Sequence, residues 1–237
     1  MTDETLPTYR LDDGVAIVTL DDGKANAFST AAVVQLEAHL DQAEADGARA
    51  LVIVGRPGRF SAGFNLDEMT GSVEEMRALV VRGARFWMRL YGFPMPTVAA
   101  CTGHALAGGA LTLLSCDLRI AADVPAKIGL NEVAIGLTLP KFGVELAMDR
   151  LVKPAIAAAT MGGQLYDAAG AVQVGFLDRV VPAEDLLDVA VAEARRLGAL
   201  GTAAYAGTKQ NARAALIERV LAEVVADLDT VELPTLP

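Results

Sequence analysis

At 237 residues with a formal charge of −10, the chain is long enough to bury a substantial core and too acidic for general nucleic-acid binding, which needs a basic surface. Hydrophobic residues make up 53% and mean hydropathy is +0.37, yet no run of roughly 20 uncharged apolar residues reads as a membrane span. The opening MTDETLPTYR lacks the basic-then-apolar pattern of a signal peptide, and two cysteines without metal-like spacing suit a reducing, cytoplasmic setting, where Cys101 and Cys116 are expected to be buried and inert.

Residues 8–20, TYRLDDGVAIVTL, alternate and then run apolar around Asp12-Asp13-Gly14, which predicts a hairpin opening a sheet. Ser29 then caps a helix to about Gly47, with Val33, Leu36, Leu40 and Ala43 at helical spacing and Gly47 as its stop. ALVIV at 50–54 is a buried strand feeding a small-residue loop, RPGRFSAGFNL, at 56–66. A helix opened by the capping box of Ser72 and Glu75 carries an apolar face to about Tyr91 and stops at Gly92, Pro94 and Pro96. TVAAC at 97–101 is the strand that delivers GHALAGGALTLLSCDLRIAA at 103–122, a glycine-rich turn that opens an apolar helix and runs into a short strand. Strand-then-helix units therefore recur, each placing a loop at a strand's C-terminal end, which predicts an α/β fold. Past Leu137 the pattern turns helical, at 142–151, from Pro154, and near 167–174. A short extended piece at 175–181 and two long alanine-rich helices at 184–200 and 202–227 follow. Residues 1–182 are expected to form a sheet-rich core and 183–237 a helical C-terminal region.

Two loops and one carboxylate stand out chemically. The free N–H groups at a helix N-terminus, with the positive end of the macrodipole, favour a phosphate or an oxygen that develops negative charge. Gly108 and Gly109 let a ligand approach the main chain, although an isolated glycine pair serves tight helix packing as readily. The second amide-presenting loop at 56–66 tips the reading toward a shared oxyanion hole. Glu132 lies in an apolar run, GLNEVAIGL, where desolvation raises a carboxyl pKa toward the range of a proton shuttle. A half-exposed strand residue or a structural ion pair is the alternative for it.

At these motifs the chain resembles the crotonase superfamily of enoyl-CoA hydratases and isomerases, which act on acyl-coenzyme A thioesters. FSAGFNL stands for the family's F-S-A-G-x-D-L, and GHALAGGALTLLSCDLRIAA for its G-x-A-x-G-G-G-x-x-L-x-x-x-C-D-x-R-x-A. IGLNEVAIGLTLP at 128–140 follows in order, and the resemblance covers the chain from Val15 to Lys209. It implies a crotonase-like spiral of strand-strand-helix units, with C-terminal helices that assemble a homotrimer or a dimer of trimers. It implies an acyl-CoA substrate, no separate cofactor and no metal. By the same resemblance the N–H groups of Phe64 and Gly108 form the oxyanion hole and Glu132 is the catalytic carboxylate. Ala62, Gly63, Asn65, Leu66 and Asn131 contact substrate, Asn131 by orienting it or a water near Glu132.

Departures from the family pattern bear on the reaction. Hydratases use two glutamates, and the first of those positions holds Leu111 here. Moving a double bond needs only one base that lifts a proton from one carbon and returns it to another. The family's mitochondrial isomerases carry IGLNE followed by LGI and a proline, similar to IGLNEVAIGLTLP, and KFGVELAMDRL replaces the hydratases' G-G-T-Q-R-L. The resemblance therefore favours a 3-enoyl-CoA to trans-2-enoyl-CoA isomerase. A hydratase, with water held by Glu132 alone or by a second carboxylate such as Glu145, and a non-catalytic acyl-CoA binding protein are the alternatives. Lys141 stands where hydratases have glycine, and pairing with Glu132 would lower the pKa of that carboxyl and favour the binding protein. Asn65 replaces an aspartate, Ala107 replaces the first glycine of the triplet, and the ending VELPTLP lacks the family's K-R-x-P-x-F. His39 and His104 read as structural, Phe86, Trp87 and Met88 as core or acyl-tunnel lining, and Lys24, Arg59 and Lys209 as cations within possible reach of coenzyme A phosphates.

Overall fold

The structure, a computed structural model, describes residues 5–228. The VELPTLP ending lies outside them. Strands β1 (Thr8–Asp12) and β2 (Val15–Leu20) pair antiparallel across Asp13 and Gly14, whose φ angles of 48° and 77° suit an Asp-Gly hairpin turn. After β3 (Ala27–Phe28), Ser29 Oγ accepts the Ala32 N–H at 3.0 Å and starts α1 (Thr30–Ala45). The chain then winds through β4 (Ala50–Gly55), β5 (Gly58–Ser61), β6 (Gly63–Phe64), α2 (Leu66–Gly71) and α3 (Val73–Tyr91). A second turn repeats the plan with β7 (Thr97–Cys101), β8 (Gly103–Leu106), α4 (Gly108–Ser115) and β9 (Leu118–Ala122), followed by β10 (Ile128–Gly129). The helical remainder is α5 (Lys141–Arg150), α6 (Ile156–Thr160), α7 (Ala168–Val174), the strand β11 (Arg179–Val181), α8 (Leu186–Gly198) and α9 (Thr202–Leu228).

Six strands form one sheet in the order β1-β2-β4-β7-β9-β11, parallel except for β1. Two small parallel sheets, β10-β8-β5 and β3-β6, sit where the chain leaves the large one. Each turn thus runs a long strand into a short one and then into a helix. Side chains alternate across the large sheet. Val15, Ile17, Val52, Val98 and Ile120 pack under Leu186, Ala190, Val191 and Ala194 of α8, while Val18, Leu51, Ile53 and Ala99 join the larger core with α1 and α3. Both faces are dry, which is why these strands read as continuous apolar runs. No helix among the described residues is long and apolar enough to cross a membrane.

Trp87, fully buried on α3, is the hub of an aromatic cluster. Its ring meets Phe28 edge-on at 5.8 Å, Phe64 at 5.2 Å and Phe142 in a stack at 5.7 Å, and its Nε1–H donates to Thr112 Oγ1 at 3.0 Å. Phe86, Trp87 and Met88 are therefore core. His39 is structural too, stacked on Tyr9 and bonded through Nε2 to the Pro7 carbonyl at 2.9 Å, and His104 Nδ1 accepts the Lys127 N–H. Both thiols are fully buried, and burial pushes each up to about 12.

Lys209 departs from expectation. It is buried, its Nζ donating to the carbonyls of Phe93 and Met95 and to Asp117 Oδ2 at 2.6 Å, so it is out of reach of a coenzyme phosphate. Asp117 also takes Arg213 at 2.7 Å, the Tyr205 hydroxyl at 2.9 Å and the Thr97 N–H at 2.9 Å. Burial works to raise the Asp117 pKa, but Lys209 and Arg213 hold it below the ordinary carboxylate value. This network pins the first half of α9 to the start of β7. Removing one partner of a buried pair leaves an uncompensated charge, so Lys209→Ala should lower stability by about 3 kcal/mol in denaturant unfolding.

Candidate active site

The first loop enters between β5 and β6. Ala62 N–H donates to the Ala25 carbonyl at 3.0 Å, Gly63 N–H to Ser61 Oγ at 3.2 Å, and Asn65 N–H to the Phe28 carbonyl at 3.1 Å. These bonds fix the main chain around Phe64. The second loop is the entry to α4, whose Ala107 cap makes no side-chain capping bond; the first bond within that helix is Leu111 N–H to Ala107 O at 2.9 Å. The Gly108 amide therefore lies among the helix-start donors that the helix itself does not use.

The loops touch. A Cβ on Gly63 would lie 2.9 Å from Ala107 Cβ and 3.2 Å from the Gly108 nitrogen, and one on Gly109 would lie 2.4 Å from the Ser61 carbonyl. On the other side, a Cβ on Gly108 would meet Trp87 at 2.9 Å. Glycine is required at all three by close approach, and at Gly63 also by φ of +97°. Ala107 occupies φ 48°, ψ −114°, a conformation an L-residue holds at a cost of about 1–3 kcal/mol, at the position where the family motif has glycine.

Both loops open onto a cavity of about 600 Å³. Ala62, Phe64, Leu66, Gly108, Asn131 and Glu132 line it, so most of the residues singled out in the sequence come together. Gly63 and Asn65 are not among its lining residues. Gly63 lets the loops meet, and Asn65 Oδ1 caps α2 by accepting the N–H groups of Asp67 at 2.9 Å and Glu68 at 3.2 Å. The rest of the wall is mainly apolar, with Met69, Met76, Val80, Leu111, Leu139 and Phe142 among its residues.

Glu132 follows β10 and precedes a single 3₁₀ turn at Val133–Ile135, so it sits on a bend and not within a strand. It is 8% exposed, and its Oε2 and the neighbouring Asn131 Oδ1 are buried without a hydrogen-bond partner. Desolvation pushes the Glu132 carboxyl up to about 7, only partly opposed by its own amide. Lys141 lines the same cavity but pairs with Asp227 and, at 3.5 Å, with Glu223 of α9. Glu145 pairs with Arg219 at 2.7 Å and is not among the cavity-lining residues. Sequence reasoning missed Asp227 and Leu228, which close the cavity from α9. The stripe of Val220, Val224 and Leu228 at a spacing of four was the signal that this helix end is packed.

The family described as enoyl-CoA hydratase/isomerase matches residues 10–232. Human mitochondrial enoyl-CoA delta isomerase 1 is 33% identical over 219 residues, covering 91% of this chain and 72% of its own length. A probable enoyl-CoA hydratase of Bacillus subtilis is 34% identical over 193 residues, covering 80% and 73%. The crystal structure of an enoyl-CoA hydratase/isomerase family protein from Pseudomonas syringae superposes with a TM-score of 0.93 at 41% identity, covering 95% of this chain and 98% of that one.

Burial of Glu132 has a thermodynamic signature. Its folded pKa of about 7 exceeds the ordinary 4.5, so folding retains a proton that the unfolded chain gives up. That stability is complete below pH 4.5 and is lost as pH rises through about 7. Glu132→Gln cannot ionise and should be more stable than wild type by about 3 kcal/mol near pH 8, with little difference near pH 4, in denaturant unfolding at the two pH values.

Proposed function

The chain belongs to the enoyl-CoA hydratase/isomerase family and has the crotonase α/β fold, and from that premise we propose that it moves the double bond of a 3-enoyl-CoA to the trans-2 position. The observation that carries this reading is Glu132, a buried carboxylate with no cationic partner among the described residues, in the same cavity as the Gly108 turn. In the proposed reaction the thioester oxygen sits between the N–H groups of Phe64 and Gly108. Glu132 removes a proton from C2, which lies between the carbonyl and the double bond. The electron pair spreads into a dienolate whose charge rests on that oxygen, and Glu132 returns the proton at C4. Each preorganised amide donor contributes about 3–4 kcal/mol toward lowering such a barrier. A carboxyl with pKa near 7 suits both transfers, because it accepts and releases a proton with little driving force lost. Asn131 Oδ1, beside it, would orient substrate.

Hydration asks for a second group to handle water. Leu111 fills the place of the hydratases' first glutamate, Glu145 is engaged by Arg219, and Asp227 is engaged by Lys141. These pairings favour isomerisation over hydration, and Lys141 facing α9 removes the ion pair that would have argued for a non-catalytic binder. The purified protein given a 3-enoyl-CoA should generate the ultraviolet absorbance of the conjugated thioester, with kcat/KM rising toward a plateau about a midpoint near pH 7. Glu132→Gln should abolish this. Absorbance lost from a 2-enoyl-CoA would identify a hydratase instead, and unchanged turnover by Glu132→Gln would remove the mechanism.

We also propose a homotrimer assembled through the C-terminal region. Exposed Leu187, Leu200, Leu221 and Val225 lie on that region, and Met148, Val152 and Met161 on the helical stretch before it, apolar surface that a partner chain would cover. Light scattering should give the mass of three chains; a monomer at micromolar concentration would count against it.

A further inference from the structure

The cavity has two chemically different ends. Outside the cavity lining, next to Ala62, whose N–H bonds the Ala25 carbonyl, the loops carry Lys24, Arg56 and Arg59, and the Arg56 guanidinium donates to the Lys24 carbonyl and pairs with Asp21 at 3.4 Å. Away from the amides the wall becomes apolar through Met76 and Val80 of α3 and Phe142 of α5, and it ends on Leu228 of α9. Around that end Glu145, Glu223 and Asp227 outnumber Lys141 and Arg219. A coenzyme polyphosphate is attracted to the first end and repelled by the second, so an acyl chain would run toward α9.

Helix α9 is held unequally along its length. Its first half is fixed by the buried Asp117 network, with Lys209 6% exposed. Its last turns rest on Val220, Val224 and Leu228, together with pairs at the surface. The Lys141 side chain is 65% exposed and that of Glu223 50%, while Asp227, its nearer partner, is 14% exposed. Exposed pairs hold weakly and are screened by salt.

Resting on the acyl-CoA reading of the site, we propose that the Lys141–Asp227 ion pair is a specificity determinant: it tethers the last turn of α9 as a displaceable end wall and so limits the acyl length the cavity accepts. A chain that fits in front of Leu228 leaves the pair closed. A longer one must push the end of α9 outward, and the pair sets the resistance.

The test is calorimetric binding of unreactive saturated acyl-CoAs of increasing length to wild type, Lys141→Met and Asp227→Asn. The ratio of long-chain to short-chain affinity should rise about two- to fivefold in both variants, the size expected of an ion pair with one partner in solvent. In wild type the same ratio should rise as salt goes from roughly 0.05 to 0.5 M, and in the variants it should not. A ratio, unlike a single affinity, cancels the salt dependence of polyphosphate binding. Binding of all lengths with a ratio unmoved by either substitution or by salt would overturn the tether alone. If wild type bound no acyl-CoA of any length, the acyl-CoA reading would fail and take the tether with it.

Discussion

Two main-chain segments can lie side by side over one cavity only if the side chains between them vanish. That condition governs this molecule. Gly63, Gly108 and Gly109 each occupy a point where one extra carbon would strike a neighbouring heavy atom at 2.4 to 2.9 Å. The large parallel sheet brings the ends of β4 and β7 next to each other, the short strands β5 and β8 turn the chain aside, and the amides are left facing a common space. Trp87 then backs both loops, touching Phe64 on one and lying against Gly108 on the other. The strained Ala107 fits this logic: the fold holds a Cβ at a backbone conformation that favours glycine, because Leu111 N–H and the partner loop define the turn.

Two buried carboxylates show how the same residue chemistry is directed to opposite ends. Asp117 is surrounded by Lys209, Arg213, Tyr205 and a backbone amide, and it stays ionised and structural. Glu132 is as buried but is given no cation, and its proton affinity rises until it matches neutral solution. The difference lies in the partners supplied and not in depth. A charge that folding satisfies adds stability, whereas one that folding isolates gives some up and becomes reactive.

Much of this was readable from the chain because it depends on neighbours in sequence. The Asp13-Gly14 turn, the Ser29 and Ser72 caps and the alternation of glycine turns with apolar strands are local chemistry, and all appear where their residues predict. Glu132 was legible for the same reason, since an apolar run on both sides foretells desolvation. The fates of long cations were not. Lys209 meets Asp117 across 92 residues, and Lys141 meets a helix more than eighty residues further on, so nothing adjacent distinguishes them from solvated lysines. Asn65 reads as a ligand-contacting residue from its motif, yet its oxygen is consumed by the two amides that open α2.

The sheet's last pairing has a consequence for how the molecule is made. Strand β9 is flanked by β7 on one side and, on the other, by β11, which lies in the chain some sixty residues later. During synthesis at roughly 5–20 residues per second, the open edge of β9 waits on the order of 3–12 seconds for its cover. An unpaired edge of alanine and isoleucine beside an apolar sheet is a template for strand exchange with another nascent chain. Arg119, buried at the start of that edge and bonded through its main-chain and side-chain nitrogens to Asp178, places a charge where a neighbouring chain would have to add itself, the kind of feature by which sheet edges resist such pairing.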